Sequence, residues 1–552
     1  LPDEDAIVDV FAGSLSKSSD VSECERSIFF RHFVCGLSIQ QFICKPIRGR
    51  IHHDENDDMC AGRCLGVCCE FQRAGGGQVG GCHRQYIAGQ RIGRGAFSDR
   101  AVLHHAKWQR APLSLINMDE FNGKAVKLRF RSARNADTLY DFQVFLAPGD
   151  MWTANVSQNG AGLSFLTTAD ASCTKPAKSV INATPFQTER LDPSITAAER
   201  AGETREGYIE IVTMADIPPS ASGLFPLIDL NDGVARCSNL TSNTAWTALD
   251  VNKAGLSDYA TLGMQPPSSG LTANWTIINV PKALSWSGSA LALEAQRDGK
   301  AARGNLAYFP QIMTTASAAQ NYSADPLYAG ANPPLAARMS DFPDISTPYV
   351  AGVGTANQQA KALKELLAVT SVSNEFWTDK GIAAETDWLF SMPTKRYAMA
   401  VNYKAPAASK LVLNTEVDPD ALTMDNFLNS MDGYCVTDLA LNAYDRESRA
   451  YSVIQVIAAQ SNKPMHVCSA VSLLNMSEFI EKLVPLTLLA SPPVLANGWM
   501  KLHANGANGA NGAQGKGRPI IGHAFVRAFN PNVAPGTAGN FSVTWPHRLL
   551  KN

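Results

Sequence analysis

At 552 residues, with 45% hydrophobic and 18% charged side chains, the chain is long enough for two or three domains and a substantial core. Its 48 basic and 50 acidic side chains nearly cancel, which argues against a polyanion partner recognised through bulk charge, nucleic acid above all. No apolar run reaches the roughly 18 residues of a membrane-spanning helix; the best stretch, Leu483 to Leu495, is broken by Pro485, Pro492 and Pro493, so no transmembrane segment is expected.

Cysteine and histidine divide the chain in two. Of 12 cysteines and 10 histidines, Cys24, Cys35, Cys44, Cys60, Cys64, Cys68, Cys69 and Cys82, with six of the histidines, precede residue 106. Cys60, Cys64, Cys68-Cys69 and Cys82-His83 supply ligand chemistry for zinc. A structural zinc site, however, wants two short-spaced pairs well separated in sequence, and adjacent Cys82-His83 cannot form a normal chelating turn. No metal or cofactor is therefore expected. Residues 1–112 read either as a poorly ordered arm, with Gly75-Gly76-Gly77 and little periodicity, or as an out-of-frame translation. A one-nucleotide shift turns Trp108 followed by Gln109 into glycine. From His52 the shifted frame admits a start methionine, one lysine, an alanine-rich apolar run and a small-residue cleavage site, the layout of a secretory signal peptide.

From Leu113 the texture changes to strands. Leu113 to Val156 holds three alternating runs separated by turn signals. Val126, Leu128 and Phe130 are expected to face inward while Lys127, Arg129 and Arg131 face water; Phe142, Val144 and Leu146 repeat the pattern until Pro148-Gly149-Asp150. Tyr208 to Val212 alternates again. Thr272 to Val280 and Ser289 to Ala295 read as two strands paired across Pro281 to Gly288. Residues 311–350 are an irregular connection, rich in Ala, Pro, Ser and Asn. A helix is expected over 356–370, with Ala360, Leu363, Leu366, Leu367 and Ala368 as its apolar stripe and Thr355 as its cap. Strand resumes at Asp387 to Lys395, with Trp388, Phe390 and Met392 on one face, and again at Val436 to Tyr444, Tyr451 to Val456, Gly498 to His503 and Ile520 to Phe529. Ala504 to Gly517, with its Ala-Asn-Gly repeats, reads as an exposed loop. The domains expected are thus 113–310 and 351–552, both β-rich.

If the protein is exported, Cys173 pairs with Cys237 and Cys435 with Cys468; each bridge would contribute at most about 4 kcal/mol on the chain-entropy argument. The alternative is four buried thiols.

Motifs of catalysis are sparse. No G-x-S-x-G occurs. Gly515-Lys516 lacks the Ser or Thr of a phosphate loop, since Gly517 follows. Asp418, Asp420, Asp425 and Asp432 fail the EF-hand pattern. The most polar and aromatic cluster is Asn374, Glu375, Trp377, Thr386, Asp387, Trp388, Lys395 and Arg396. Trp377, Trp388, Asp387, Lys395 and Arg396 are its candidate ligand-binding residues, in a groove with aromatic platforms suited to carbohydrate or surface binding. The same residues would equally be buried tryptophans with flanking charges where a helix meets a sheet. His466, His503, His523 and His547 are scattered singly, which suits structural roles, although a triad assembles in space and not in sequence.

LSLINM, KAVKLRFRSARNADTLYDFQVFLAPGDMWTANV, TREGYIEIVTMADI, TANWTIINV, NEFWTDKGIAAETDWLFSMPTKRY, AYDRES and GRPIIGHAFVRAF together resemble a group of exported proteobacterial proteins labelled "cell surface protein". The resemblance covers residues 113 to 552 and implies export and surface or extracellular residence; it carries no catalytic residues. The expectation is a mainly β protein of two packed antiparallel sandwich-like units with a few helices. Its expected role is non-enzymatic: structure, adhesion or binding toward cell-surface or extracellular components. The rival is a secreted hydrolase of esterase or lactonase type, using an unrecognised Ser-His-Asp site.

Overall fold

Period-two alternation from Val126 to Phe130 builds the strand at the centre of the first half. The computed structural model describes residues 92–97, 109–231, 233–237, 243–250, 259–297, 300–304, 306, 308, 356–401, 403, 406, 411–413, 416–417, 429–430, 433–447, 450–452, 465–475, 487–489, 497–504, 517–530, 533 and 539–551. Ten strands make a first sandwich: β1 (Ile92–Phe97), β2 (Gln109–Asn117), β3 (Gly123–Ser132), β4 (Thr138–Leu146), β5 (Met151–Gln158), β6 (Ser164–Thr167), β7 (Cys173–Lys175), β8 (Gly207–Ile217), β9 (Leu271–Asn279) and β10 (Leu284–Ser289). One sheet runs β1-β8-β3-β4-β7 and the other β10-β9-β2-β5-β6, with antiparallel pairing between neighbours. Leu113, Leu115, Val126, Leu128, Phe142, Val144, Trp152, Ile209, Ile211 and Trp275 fill the space between them. Residues 92–97 and 109–112, set apart by composition, thus supply a strand against β8 and the start of β2.

The face of β3 expected to be wet is closed. Lys127, Arg129 and Arg131 are buried, as is every residue of β3 and β8. Alternation tells which side chains share a face, but not what lies over it. Over the Ala125 end packs a layer of short helices and loops carrying Leu224, Ile228, Trp246, Leu249 and Tyr259; over the Arg131 end lies the second half of the chain. Cys173 and Cys237 form the expected disulfide, tying β7 to that layer.

The second sandwich follows from β11 (Ser371–Trp377), β12 (Glu385–Ser391), β13 (Gly433–Tyr444), β14 (Met465–Cys468), β15 (Val471–Asn475), β16 (Thr487–Leu489), β17 (Asn497–His503), β18 (Ile521–Phe529), β19 (Asn540–Pro546) and β20 (Arg548–Leu550). One sheet contains the path β13-β17-β11-β20, with β14 also on β13; the other runs β16-β15-β12-β18-β19. Only the β15–β16 pair among these is parallel. Val372, Phe376, Trp388, Phe390, Met392, Leu441, Met500 and Leu502 form the core, so Trp388, Phe390 and Met392 do share one inward face. The register sets Cys435 directly opposite Cys468.

Two local expectations are corrected. The strand that pairs with β9 is Leu284–Ser289, not Ser289 to Ala295. A tight turn brings it forward, because the Asn279 side chain accepts the Lys282 N–H at 3.1 Å and the Ala283 N–H reaches Val280 O at 3.1 Å; Leu284 and Trp286 then supply the inward residues. The helix Ala356–Leu367 buries Ala360, Leu363 and Leu367 against Tyr397, Val401, Tyr403 and Ile521. Leu366, in contrast, is 37% exposed, at the margin of the stripe. Thr355, residues 311–350, most of the Ala-Asn-Gly stretch, and Asp418, Asp420, Asp425 and Asp432 lie outside the described residues.

The sandwiches meet edge to edge at β10 and β19. Ser542 Oγ accepts the Ser285 N–H at 2.8 Å and donates to Ser285 O; Asn540 Nδ2 donates to Lys282 O, and Trp286 Nε1 to Val526 O. Phe525 packs beside Trp275 and Trp286. Main-chain bonds from Ala470 and Val471 to Ala133 O add a second tie.

Candidate functional site

The five residues read as a groove are dispersed. Trp388 is fully buried in the second core, its Nε1 donating to Glu375 O at 3.1 Å. Asp387 is buried beside Arg527 at 3.0 Å; burial raises its carboxyl to about 6 against the pull of that guanidinium. Arg527 also pairs with Glu385. Lys395 is half-buried, and burial draws its ammonium down to about 7. Arg396 sits at the junction of the sandwiches, donating through Nε and Nη2 to the two oxygens of Glu210 at 2.8 and 3.2 Å and lying over the Tyr397 ring. Trp377 reaches the surface, half-buried against Phe541.

The junction is a buried polar network. Arg131 Nε donates to the same Glu210 carboxylate at 3.2 Å, and Tyr208 OH donates to Pro393 O. Beside it, Tyr403 OH donates to Asp137 Oδ2 at 2.5 Å and accepts from Asn135 Nδ2. Burial lifts the Asp137 carboxyl to about 7, opposed by that hydrogen bond. These groups hold two halves of the fold together in low dielectric, and each satisfied contact is structural.

His547 lies between Trp388 and Phe390; its Nε2 donates to Leu389 O and its Nδ1 accepts from Asn374, each at 3.0 Å. Burial draws it down to about 3, and His523, edge-on to Trp275, to about 4. His503 is hydrogen-bonded to Asn442. None of these three bonds to a serine hydroxyl or a carboxylate among the described residues. A serine does meet a lysine: Lys124 Nζ lies 2.8 Å from Ser268 Oγ, but also 2.9 Å from Asp119 and 2.6 Å from Asp216. The ammonium spends its three protons on these oxygens, so no lone pair faces the serine. Arg303 and the Ser268 N–H complete the cluster on Asp216. Although burial opposes it, hydrogen bonds from Asn122, Lys124 and Phe121 hold Asp119 well below the ordinary carboxylate range. The cluster clamps strand ends.

Among the described residues, an aromatic surface lies on the outer face of the β13-β17-β11 sheet. In the register Tyr444 stands opposite Trp499, and Trp499 opposite Glu375, with Trp377 two residues further along β11. Phe376 and Met500 are buried, so pleating turns Glu375, Trp377, Trp499 and Lys501 outward. The Tyr444 and Trp499 rings stack at 4.2 Å with 13° between planes, and Trp499 stays 38% exposed. Gly498 allows this: a Cβ there would strike Tyr444 O, so the two strands approach only because the side chain is missing. Sequence reasoning found Glu375 and Trp377; it missed Tyr444 and Trp499, which are 55 residues apart and are joined only by strand register. A lone Trp on an alternating strand with polar neighbours at i+2 and i+4 was the available signal.

No protein-family model, curated protein or solved structure matches this chain.

Proposed function

We propose that this is an exported cell-surface or extracellular binding protein that acts without catalysis, in adhesion or matrix attachment, and that the outer face around Trp499 is its contact surface. The single observation carrying the reading is an aromatic stack left open to solvent in a fold that buries most of its other large aromatics; exposed aromatic area of this kind marks contact sites. The Cys173–Cys237 disulfide fits an oxidising compartment, and rigid sheets suit the presentation of such a surface. His503 and His547, held in hydrogen bonds to Asn442, Asn374 and Leu389 O, weigh against the hydrolase alternative.

Labelled full-length chain, applied to whole bacterial cells and to extracted extracellular matrix, tests the reading. Saturable retention is expected, and should fall when Trp499 and Trp377 are both replaced by alanine. If instead the purified chain turns over chromogenic esters or lactones, and single histidine substitutions abolish that turnover, the hydrolase reading takes its place.

A further inference from the structure

We infer that the outer face around Trp499 recognises a saccharide, stacking neutral pyranose rings of a surface or matrix polysaccharide on its aromatic side chains. The inference rests on the binding reading above and names its ligand class.

Three features of the face lead there. One side of the Trp499 ring is backed by Tyr444, which fixes the indole upright and leaves its other side toward Glu375, on the neighbouring strand. Trp377 is the diagonal neighbour of Trp499 across the β11–β17 pair, a separation of roughly 7–8 Å between such positions. Phe541 supports its ring from the sandwich edge. Two apolar platforms are therefore offered in sequence along one sheet face. A sugar ring has an apolar C–H face that stacks on a π surface and a rim of hydroxyls that needs both donors and acceptors.

The polar groups beside the platforms supply both. The Glu375 carboxylate and the Lys501 ammonium make no hydrogen bond or ion pair among the described residues, and Asn442 lies opposite Lys501. Charge selects among ligands. Lys501 and Arg548, which stands opposite Ser373 on β20, offset the Glu375 carboxylate on this sheet, so no net negative charge favours a quaternary ammonium despite the aromatic surface. Two cations beside Glu375 are far too few for a polyanion, whose affinity comes from many neutralised charges. A peptide strand would seek unpaired main chain, whereas β17 is paired on both sides. A neutral, hydroxyl-rich ligand fits what is left.

Cellohexaose, chitohexaose and maltohexaose titrated into the full-length chain, followed by tryptophan emission and by calorimetry, test this, with tetramethylammonium and heparin run in parallel. At least one hexasaccharide is expected to bind saturably. Trp499→Ala should weaken that binding about ten-fold or more, as loss of a central aromatic anchor does; Trp499→Phe, which keeps a ring, should stay within a few-fold of the parent. Glu375→Gln, an exposed and isosteric change, should also weaken it, and this variant carries the test if Trp499→Ala does not fold. Failure of all three hexasaccharides, or tighter binding of tetramethylammonium or heparin, overturns the inference. Should cells and matrix still retain the chain in that case, the binding reading stands and the saccharide assignment alone falls.

Discussion

Asp137 shows how one carboxyl can make the fold sensitive to pH. It faces Tyr403, whose hydroxyl also accepts from Asn135, together with Glu203, Arg190 and Arg131, and burial raises it to about 7. A carboxyl raised in the folded state holds its proton more tightly there than in the unfolded chain. Its contribution is therefore fully present below about pH 4 and is lost as pH climbs through about 7. Asp137→Asn keeps the acceptor for Tyr403 without the charge. By urea midpoint the variant should then be modestly more stable than the parent at pH 5 and clearly more stable at pH 8, because the loss accumulates between the unfolded and folded values. Equal midpoints at both pH values would mean that Asp137 is ionised throughout. His523 and His547 act in the opposite sense: both are depressed, so their contribution is present above about pH 6.5 and fades as pH falls toward 3–4.

The helix Ala356–Leu367 offers the sharpest test at the level of an element. Leu363 is 1% exposed and Leu366 37%, although the two leucines are indistinguishable by residue type and nearly so by position. Leu363→Ala leaves a cavity among Tyr397, Val401 and Tyr403 and should cost about 2–5 kcal/mol. Leu366→Ala should fall within about 0.5 kcal/mol of the parent, apart from its small propensity gain. Denaturant unfolding of the pair reads the helix orientation directly; equal losses would rotate it.

For the molecule as a whole, the question is what makes two sandwiches one body. Residues 84–552 form a single compact unit, and its two halves share the Glu210 carboxylate, which accepts from Arg131 of the first sandwich and Arg396 beside the second. Glu210→Gln leaves two buried guanidinium groups without their counter-charge. Stability should drop by roughly 3–5 kcal/mol, and the transition should lose its coincidence between far-UV circular dichroism and tryptophan emission, which the parent is expected to show. A loss below about 1 kcal/mol would mean that the serine and tryptophan contacts at the β10–β19 seam suffice.

Alternation of polarity along the chain determined that this is a layered antiparallel β protein, where its principal strands run, and that Trp388, Phe390 and Met392 look inward, because pleating forces successive side chains to opposite faces. The cysteine pair at 173 and 237 was legible for a similar reason of economy: few cysteines leave few partners. What covers the second face of each sheet was decided by tertiary packing alone. Lys127, Arg129 and Arg131 carry the same letters whether water or another layer lies above them, and their burial depends on carboxylates that strand pairing brings alongside, Asp141 for Lys127 and Glu210 for Arg131. Register likewise lies beyond local pattern, since Tyr444, Trp499 and Glu375 become neighbours through pairings between distant strands, and a contact of that range leaves no trace in the residues adjoining any one of them.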